Sequence, residues 1–371
     1  MKENKAVLLL SGYNPRAVIA FCRWATQRNV NYHLIASGKT DPIFLTKYAD
    51  LVEISRDSKA LGIGEFLSWV ETLTQRYGYQ QILILPTTEY FNRFLLTNRA
   101  ALEDKGCIVP LVEEPLYLEI SDKGKFANLC QSHGIDVPNE YIDIPQTVPF
   151  VAKPLSYFNS EGIPIYPHLI LSDDDYQIFI KNENQEDYYF QEYVDGENHY
   201  LLACIQKDGS STLFSQENLI QQSRGKSVIL ARISQYHNSE NAKKYLHMLN
   251  DVGFWGLIMI EVRQTAPEKY VMIEANPRLW GPIQFVVDNQ IDFLGMLLRD
   301  NGFVIDEYYG NEPQVEFYYW SGGITSNSQP LVFHNYSEKE FIQNIHDIRK
   351  NDIYLREDTL DIYLQELGIV E

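Results

Sequence analysis

Continuous apolar runs alternate with helical periodicity through the first third of the chain. Residues 6–10 are an unbroken apolar run closed by Ser11 and Gly12. From Pro15 to about Gln27 the spacing turns helical, and the proline stands where a helix start tolerates it. Residues 32–37 and 81–86 repeat the buried-strand pattern, with a helical stretch over about 64–77 between them. Apolar strands separated by helices predict a parallel sheet covered on both faces. Residues 1–110 therefore read as a doubly wound α/β domain. The first turn, residues 11–17, lacks G-x-G-x-x-G, so it carries no dinucleotide fingerprint.

The pattern changes beyond residue 110. Ser121 or Asp122 can cap a helix whose apolar face is Phe126, Leu129 and Cys130, and Gly134 can end it. Residues 148–154 read as a short strand ending around Lys153, and 188–197 as a strand followed by a turn. Residues 199–206 and 210–217 read as a hairpin. A helix over about 240–252 precedes another strand pair, and one apolar helix is predicted over about 283–298. Hairpin-like pairs predict antiparallel packing here, so the chain reads as α/β followed by α+β. From Gly302 onward the chain is rich in tyrosine and acidic residues without a strong motif. The aromatics of 318–324 read as core or dimer contacts.

Composition narrows the function classes. The chain has 371 residues, length for two or three domains, and 31 basic against 50 acidic residues give a net charge of −19. Nucleic acid and anionic membrane need a basic face to displace counterions, so neither is an expected partner. The four cysteines, Cys22, Cys107, Cys130 and Cys204, form no C-x-x-C pair and read as reduced thiols. The run at 6–10 is too short for a signal-peptide core, and the apolar stretch at 252–260 is far too short for a membrane span. A cytoplasmic protein is the expectation.

Candidate chemistry concentrates on the strand pair around Glu261 and Glu274. Antiparallel pairing brings these two carboxylates together, and Asn276, two residues on, shares the face of Glu274. Two carboxylates and an amide carbonyl suit Mg²⁺, which usually shares its oxygen ligands with substrate phosphates. Arg278, the next residue on that face, can neutralise phosphoryl oxygens. The competing reading is a pair of solvated carboxylates at a sheet edge.

In order along the chain, VAKP (151–154), QEYVDGE (191–197), GFWGLIMIEV (253–262) and IEANPR (273–278) resemble the ATP-grasp superfamily, the fold of biotin carboxylase, D-alanine–D-alanine ligase and many carboxylate–amine ligases. The resemblance covers about residues 6–300. It implies an N-terminal parallel-sheet domain over 1–110 and an ATP-grasp domain over 111–300. Within the latter it implies a lid subdomain at about 140–195 and an antiparallel C-terminal subdomain, followed by an extension over 301–371. Lys123 and Lys153 match lysines that contact ATP phosphates, with Lys125 a rival for Lys123. Gln191, Glu192, Tyr193 and Val194 match the hinge that meets the adenine edge, and Glu197 matches the acid that holds the ribose hydroxyls. Glu261, Glu274 and Asn276 match ligands of Mg²⁺, with Mn²⁺ as substitute metal, and Arg278 matches a residue facing the γ-phosphate or an acyl phosphate. Lys153 and Arg278 are accordingly the expected catalytic residues.

Two segments depart from the pattern. Many members close a glycine-rich loop over the phosphates, whereas residues 155–164 hold only Gly162, with Ser156 and Ser160 as donors. SRGKS (223–227) imitates the end of a phosphate-binding P-loop, but Ile220 stands where its glycine is required. In the family this region faces substrate, so Arg224 or Lys226 could hold a carboxylate; a solvated loop is the alternative.

The resemblance implies an ATP-dependent carboxylate–amine ligase acting on small, amino-acid-like molecules through an acyl phosphate, and leaves room for a homodimer. The alternatives are an ATP-binding regulatory protein without turnover, or an ATP-grasp carboxylase or phosphotransferase.

Overall fold

The computed structural model describes residues 4–56, 60–155, 165–223, 226–307, 315–326 and 330–369. The N-terminal apolar run is β1 (Lys5–Leu10), the middle of a parallel sheet. With β2 (Tyr32–Ala36), β3 (Val52–Ser55), β4 (Gln81–Ile84) and β5 (Cys107–Ile108) it forms the order β3-β2-β1-β4-β5. Ala6, Leu8 and Leu10 enter one core with Phe66, Trp69 and Phe91, while Val7 and Leu9 enter the other with Ile19, Phe21 and Trp24. Strand alternation thus feeds two buried faces, as the unbroken apolar run predicts. The edge strands β3 and β5 are additions to the three strands expected from sequence. One has four half-exposed or exposed residues and the other only two residues, so neither carries a readable period.

The middle of the chain builds a small sheet from β6 (Glu140–Tyr141), β7 (Phe150–Pro154), β8 (His168–Ile170) and β9 (Tyr188–Glu192), in the order β6-β9-β7-β8. Phe150, Phe179 and Phe190 form its core.

The largest sheet contains β10 (Glu197–Ile205), β11 (Ser211–Gln221), β12 (Val228–Ile233), β13 (Gly256–Ala266), β14 (Lys269–Asn276), β15 (Phe317–Tyr319) and β16 (Val332–Phe333). Its order is β14-β13-β10-β11-β12-β15, β16 pairs with β11, and every pairing is antiparallel. Residues past 302 are therefore woven into this sheet, and Tyr318 and Tyr319 are buried in its cores.

One expectation needs correction. The apolar stretch 283–298 is two helices, Ile283–Asp288 and Phe293–Asp300. Gln290 adopts φ +59°, and the Asn289 amide donates to the Phe285 carbonyl at 2.9 Å, ending the first helix. Apolar periodicity continues across the break and hides it. The four cysteines are buried free thiols, and no described helix is long and apolar enough to cross a membrane.

Candidate active site

β13 and β14 set the centre of the site. Glu261 and Glu274 are direct cross-strand partners. Pairing then jumps from Glu261–Glu274 to Val262–Met272, leaving Ile273 as an extra residue on β14. Lys153, on β7 of the small sheet, uses this irregularity: its Nζ donates to the Ile273 carbonyl at 3.2 Å. Only 6% of Lys153 is exposed. Burial, and next the positive charge of Lys123, bring its ammonium down to about 8, against the pull of Glu274 and Glu261.

Lys123 is placed by a helix cap. Asp122 accepts a hydrogen bond from the Lys125 backbone N–H at 2.9 Å and so starts the helix Lys123–Ser132 at Lys123. The Lys123 ammonium lies 3.0 Å from Glu274 Oε2. Its rival Lys125 points to solvent as an exposed residue. Asn276 Nδ2 donates to Glu274 Oε1 at 3.0 Å, and Arg278 Nη2 donates to Asn276 Oδ1 at 2.9 Å. Burial favours the protonated form of Glu274, but Lys123, Asn276 and Lys153 outweigh it and hold the carboxyl at about 2. Glu261 goes the other way: burial raises it, and Glu274 adds to the rise against Arg263 and Asn198.

Two carboxylates directly opposite each other repel. This pair persists among cations: Lys123, Lys153, Arg278, and Arg263, whose Nη2 lies 3.6 Å from Glu261 Oε1. Arg278 Nε is buried without an acceptor. Among the described residues no group of three His, Cys, Asp or Glu side chains is placed to hold a metal. The donor set here is two carboxylates and one amide, which suits a hard cation that takes its remaining ligands from substrate and water.

The hinge candidates lie where the small sheet meets the large one. Gln191 Nε2 donates to Glu140 at 3.2 Å, and the Glu192 carboxylate accepts from Asn139 Nδ2 at 2.7 Å. Glu192 and Val194 line a cleft with Asn139, Asp136, Thr265 and Val271; Tyr193, between them, is half-buried. Gly196 then turns into β10 at φ +146°, where a Cβ would fall 2.4 Å from the Gln264 carbonyl oxygen. Glu197, at the head of β10, is not drawn into the Lys123–Glu274 cluster. Its carboxylate accepts from Asn335 Nδ2 at 2.8 Å and lies 3.5 Å from His199 Nε2. Arg224 lies outside the described residues, as do Ser156, Ser160 and Gly162, and Lys226 is exposed.

The structure adds residues that the sequence reading missed. Asn198 Nδ2 donates to Glu261 Oε1 at 3.0 Å, Asn218 Nδ2 to Asn198 Oδ1 at 3.2 Å, and Gln216 Nε2 to Asn218 Oδ1 at 2.7 Å. Each amide thus donates toward the carboxylate. Arg263 Nη1 lies 3.2 Å from His334 Nδ1, whose Nε2 lies 2.8 Å from Gln221 Oε1. Burial, and next Arg263, lower His334 to about 4, so it is neutral at neutral pH, with Nδ1 accepting from Arg263 and Nε2–H donating to Gln221. Arg263 could have been found by strand alternation from Glu261; His334 and Asn335, far along the chain, gave no signal.

No protein-family profile and no curated protein matches this chain. Solved structures do match. The biotin carboxylase domain dimer of Hydrogenobacter thermophilus 2-oxoglutarate carboxylase, in complex with MgADP, ADP and bicarbonate, is 10% identical, with 85% of this chain and 74% of that one covered at a TM-score of 0.59. An ADP complex of N5-carboxyaminoimidazole ribonucleotide synthetase is 14% identical, with 84% and 80% covered at 0.59. The Thermus thermophilus enzyme of that name is 13% identical, with 84% and 81% covered at 0.57. At such identities the likeness establishes the fold.

Proposed function

We propose that this chain, whose fold is that of the ATP-grasp proteins, is an ATP-dependent ligase that joins a carboxylate to an amine. The observation that carries the reading is the Glu261–Glu274 pair on adjacent strands, with Lys123 at 3.0 Å, Lys153 over the bulge and Arg278 behind Asn276.

In this reading the substrate carboxylate attacks the γ-phosphate of ATP, and the O–P bond forms as ADP leaves. The amine then attacks the acyl carbon and phosphate leaves. Lys123, Lys153 and Arg278 hold and neutralise the phosphoryl oxygens, so the protein contributes mainly positioning and preorganised charge. Glu261, Glu274 and the Asn276 carbonyl oxygen would hold Mg²⁺, or Mn²⁺ in its place, which supplies further positive charge at the phosphates. Gln191 to Val194 offer backbone groups to adenine, and Glu197 offers a carboxylate to the ribose hydroxyls with Asn335 beside it. A second reading takes bicarbonate as the carboxylate partner, since one structural neighbour holds bicarbonate together with MgADP.

The test is Glu274→Ala. Mg·ATP turnover is expected to fall more than about a hundredfold, the scale of losing a charge-stabilising group, while circular dichroism and thermal unfolding report an intact fold. Wild-type turnover in that variant refutes the metal and phosphate assignment. Bicarbonate-dependent ADP release without any amine would select the second reading.

A further inference from the structure

Arg16 is a built cation that the proposed chemistry does not use. It sits at the start of the helix Pro15–Gln27, after the first turn of the parallel sheet. Its Nη2 donates to Ser227 Oγ at 2.8 Å, and its Nη1 to the Tyr318 hydroxyl at 3.1 Å and the Val228 carbonyl at 3.4 Å. The Trp320 ring lies over the guanidinium, 4.0 Å from its centroid, and Trp320 Nε1 is fixed by Glu366 Oε2 at 3.0 Å. Gly281 packs against the guanidinium: a Cβ there would fall 2.8 Å from Arg16 Nη2 and 2.9 Å from its Cζ. Three hydrogen bonds and one stacked ring thus fix the guanidinium, and its hydrogen-bond partners are all neutral; the Glu366 carboxylate, which holds Trp320, lies close enough to interact with its charge.

Its position relates it to the carboxylate centre. Tyr200 is the direct cross-strand partner of Glu261 and shares one core with Val228 and Tyr318, so Arg16 reaches the sheet on the face that carries Glu261. Gly281 follows Arg278 by three residues, a span of at most about 11 Å. In the sheet, β10 and β11 with their row of amides lie between β13, which carries Glu261, and β12, which carries Val228. Gln221, the strand partner of Val228, accepts through Oε1 from both Asn198 and His334, which leaves its Nε2 buried without an acceptor.

We infer that Arg16 anchors the carboxylate of an amino acid that this enzyme uses as its amine substrate. The inference rests on the ligase reading and names one of its substrate classes. A guanidinium takes a carboxylate bidentately, and a neutral ester loses that match. Arg278 then serves the carboxyl group that is phosphorylated, beside Asn276, while Arg16 holds the free carboxylate of the amino acid whose amine attacks the acyl carbon. The tail acquires a role as well, since Tyr318, Trp320 and Glu366 hold Arg16 in place.

The test offers the common L-amino acids and their methyl esters as amine partners to the full chain, with Mg·ATP and a panel of small carboxylates, by thermal shift and by ADP release, in wild type, Arg16→Gln and Gly281→Ala. At least one acid is expected to bind and turn over about tenfold or more better than its ester. Arg16→Gln removes that preference while Mg·ATP still stabilises the protein. Gly281→Ala displaces the guanidinium without deleting it and weakens the acid in the same direction. Equal responses to acid and ester in wild type, an acid preference that survives in Arg16→Gln, or no acid-selective ligand in the panel overturns the anchor. Failure of Mg·ATP to bind wild type counts instead against the ligase reading, and the acid-against-ester comparison still decides the anchor.

Discussion

Lys153 shows how one buried residue can report on the chemistry. Its ammonium is lowered to about 8 by burial and by Lys123, so a fraction is neutral near neutral pH. A polyanion beside it favours the charged form. Mg·ATP binding should therefore take up protons at pH 8 to 9, and calorimetry in two buffers of different ionisation enthalpy reads this directly. Affinity should weaken as pH rises through about 8, where free Lys153 loses its proton, and Lys153→Arg should abolish the proton uptake. A pH-independent affinity with no proton exchange contradicts the placement of phosphate at Lys153. At this scale the sequence was informative wherever a motif fixed the neighbours. Glu261, Glu274, Asn276, Lys123 and Lys153 meet in space because strand register and one helix cap bring them there. Asn198 and Gln221 escaped notice because isolated amides in apolar strands carry no periodic or chemical signature, and Arg16, at a helix start, stands in no motif.

Among elements, the helix Lys123–Ser132 matters most for its first turn. Asp122 caps it, and Lys123 is its first residue, so cap and phosphate candidate are neighbours. Asp122→Ala should cost about 1 kcal/mol of stability, read by urea unfolding, and should also weaken Mg·ATP binding several-fold. Loss of stability without loss of affinity would separate the cap from the site. Long apolar runs announced β1, β4, β10 and β13. The two-residue strands β5, β6 and β16 did not, because pairing to an existing sheet edge, rather than their own pattern, makes them strands. The same reason hid the contribution of the tail: β16 pairs with β11 and carries His334 to Gln221.

For the whole molecule, a net charge of −19 coexists with a cationic cluster of Lys123, Lys153, Arg263 and Arg278 around two carboxylates. The acidic surface disfavours extended polyanions, while the local cluster suits one compact anion. Two sheets meet at this cluster: β7 supplies Lys153, and β13 and β14 supply the carboxylates. The most direct measurement is ADP release from Mg·ATP across pairs of small carboxylates and amines, with wild type and Glu274→Ala in parallel. The account predicts a pair for which wild type releases ADP only when both partners are present, with an ¹⁸O label on the carboxylate passing to inorganic phosphate and Glu274→Ala inactive. ADP release that ignores the amine, or phosphate that carries no label from the carboxylate, would contradict it.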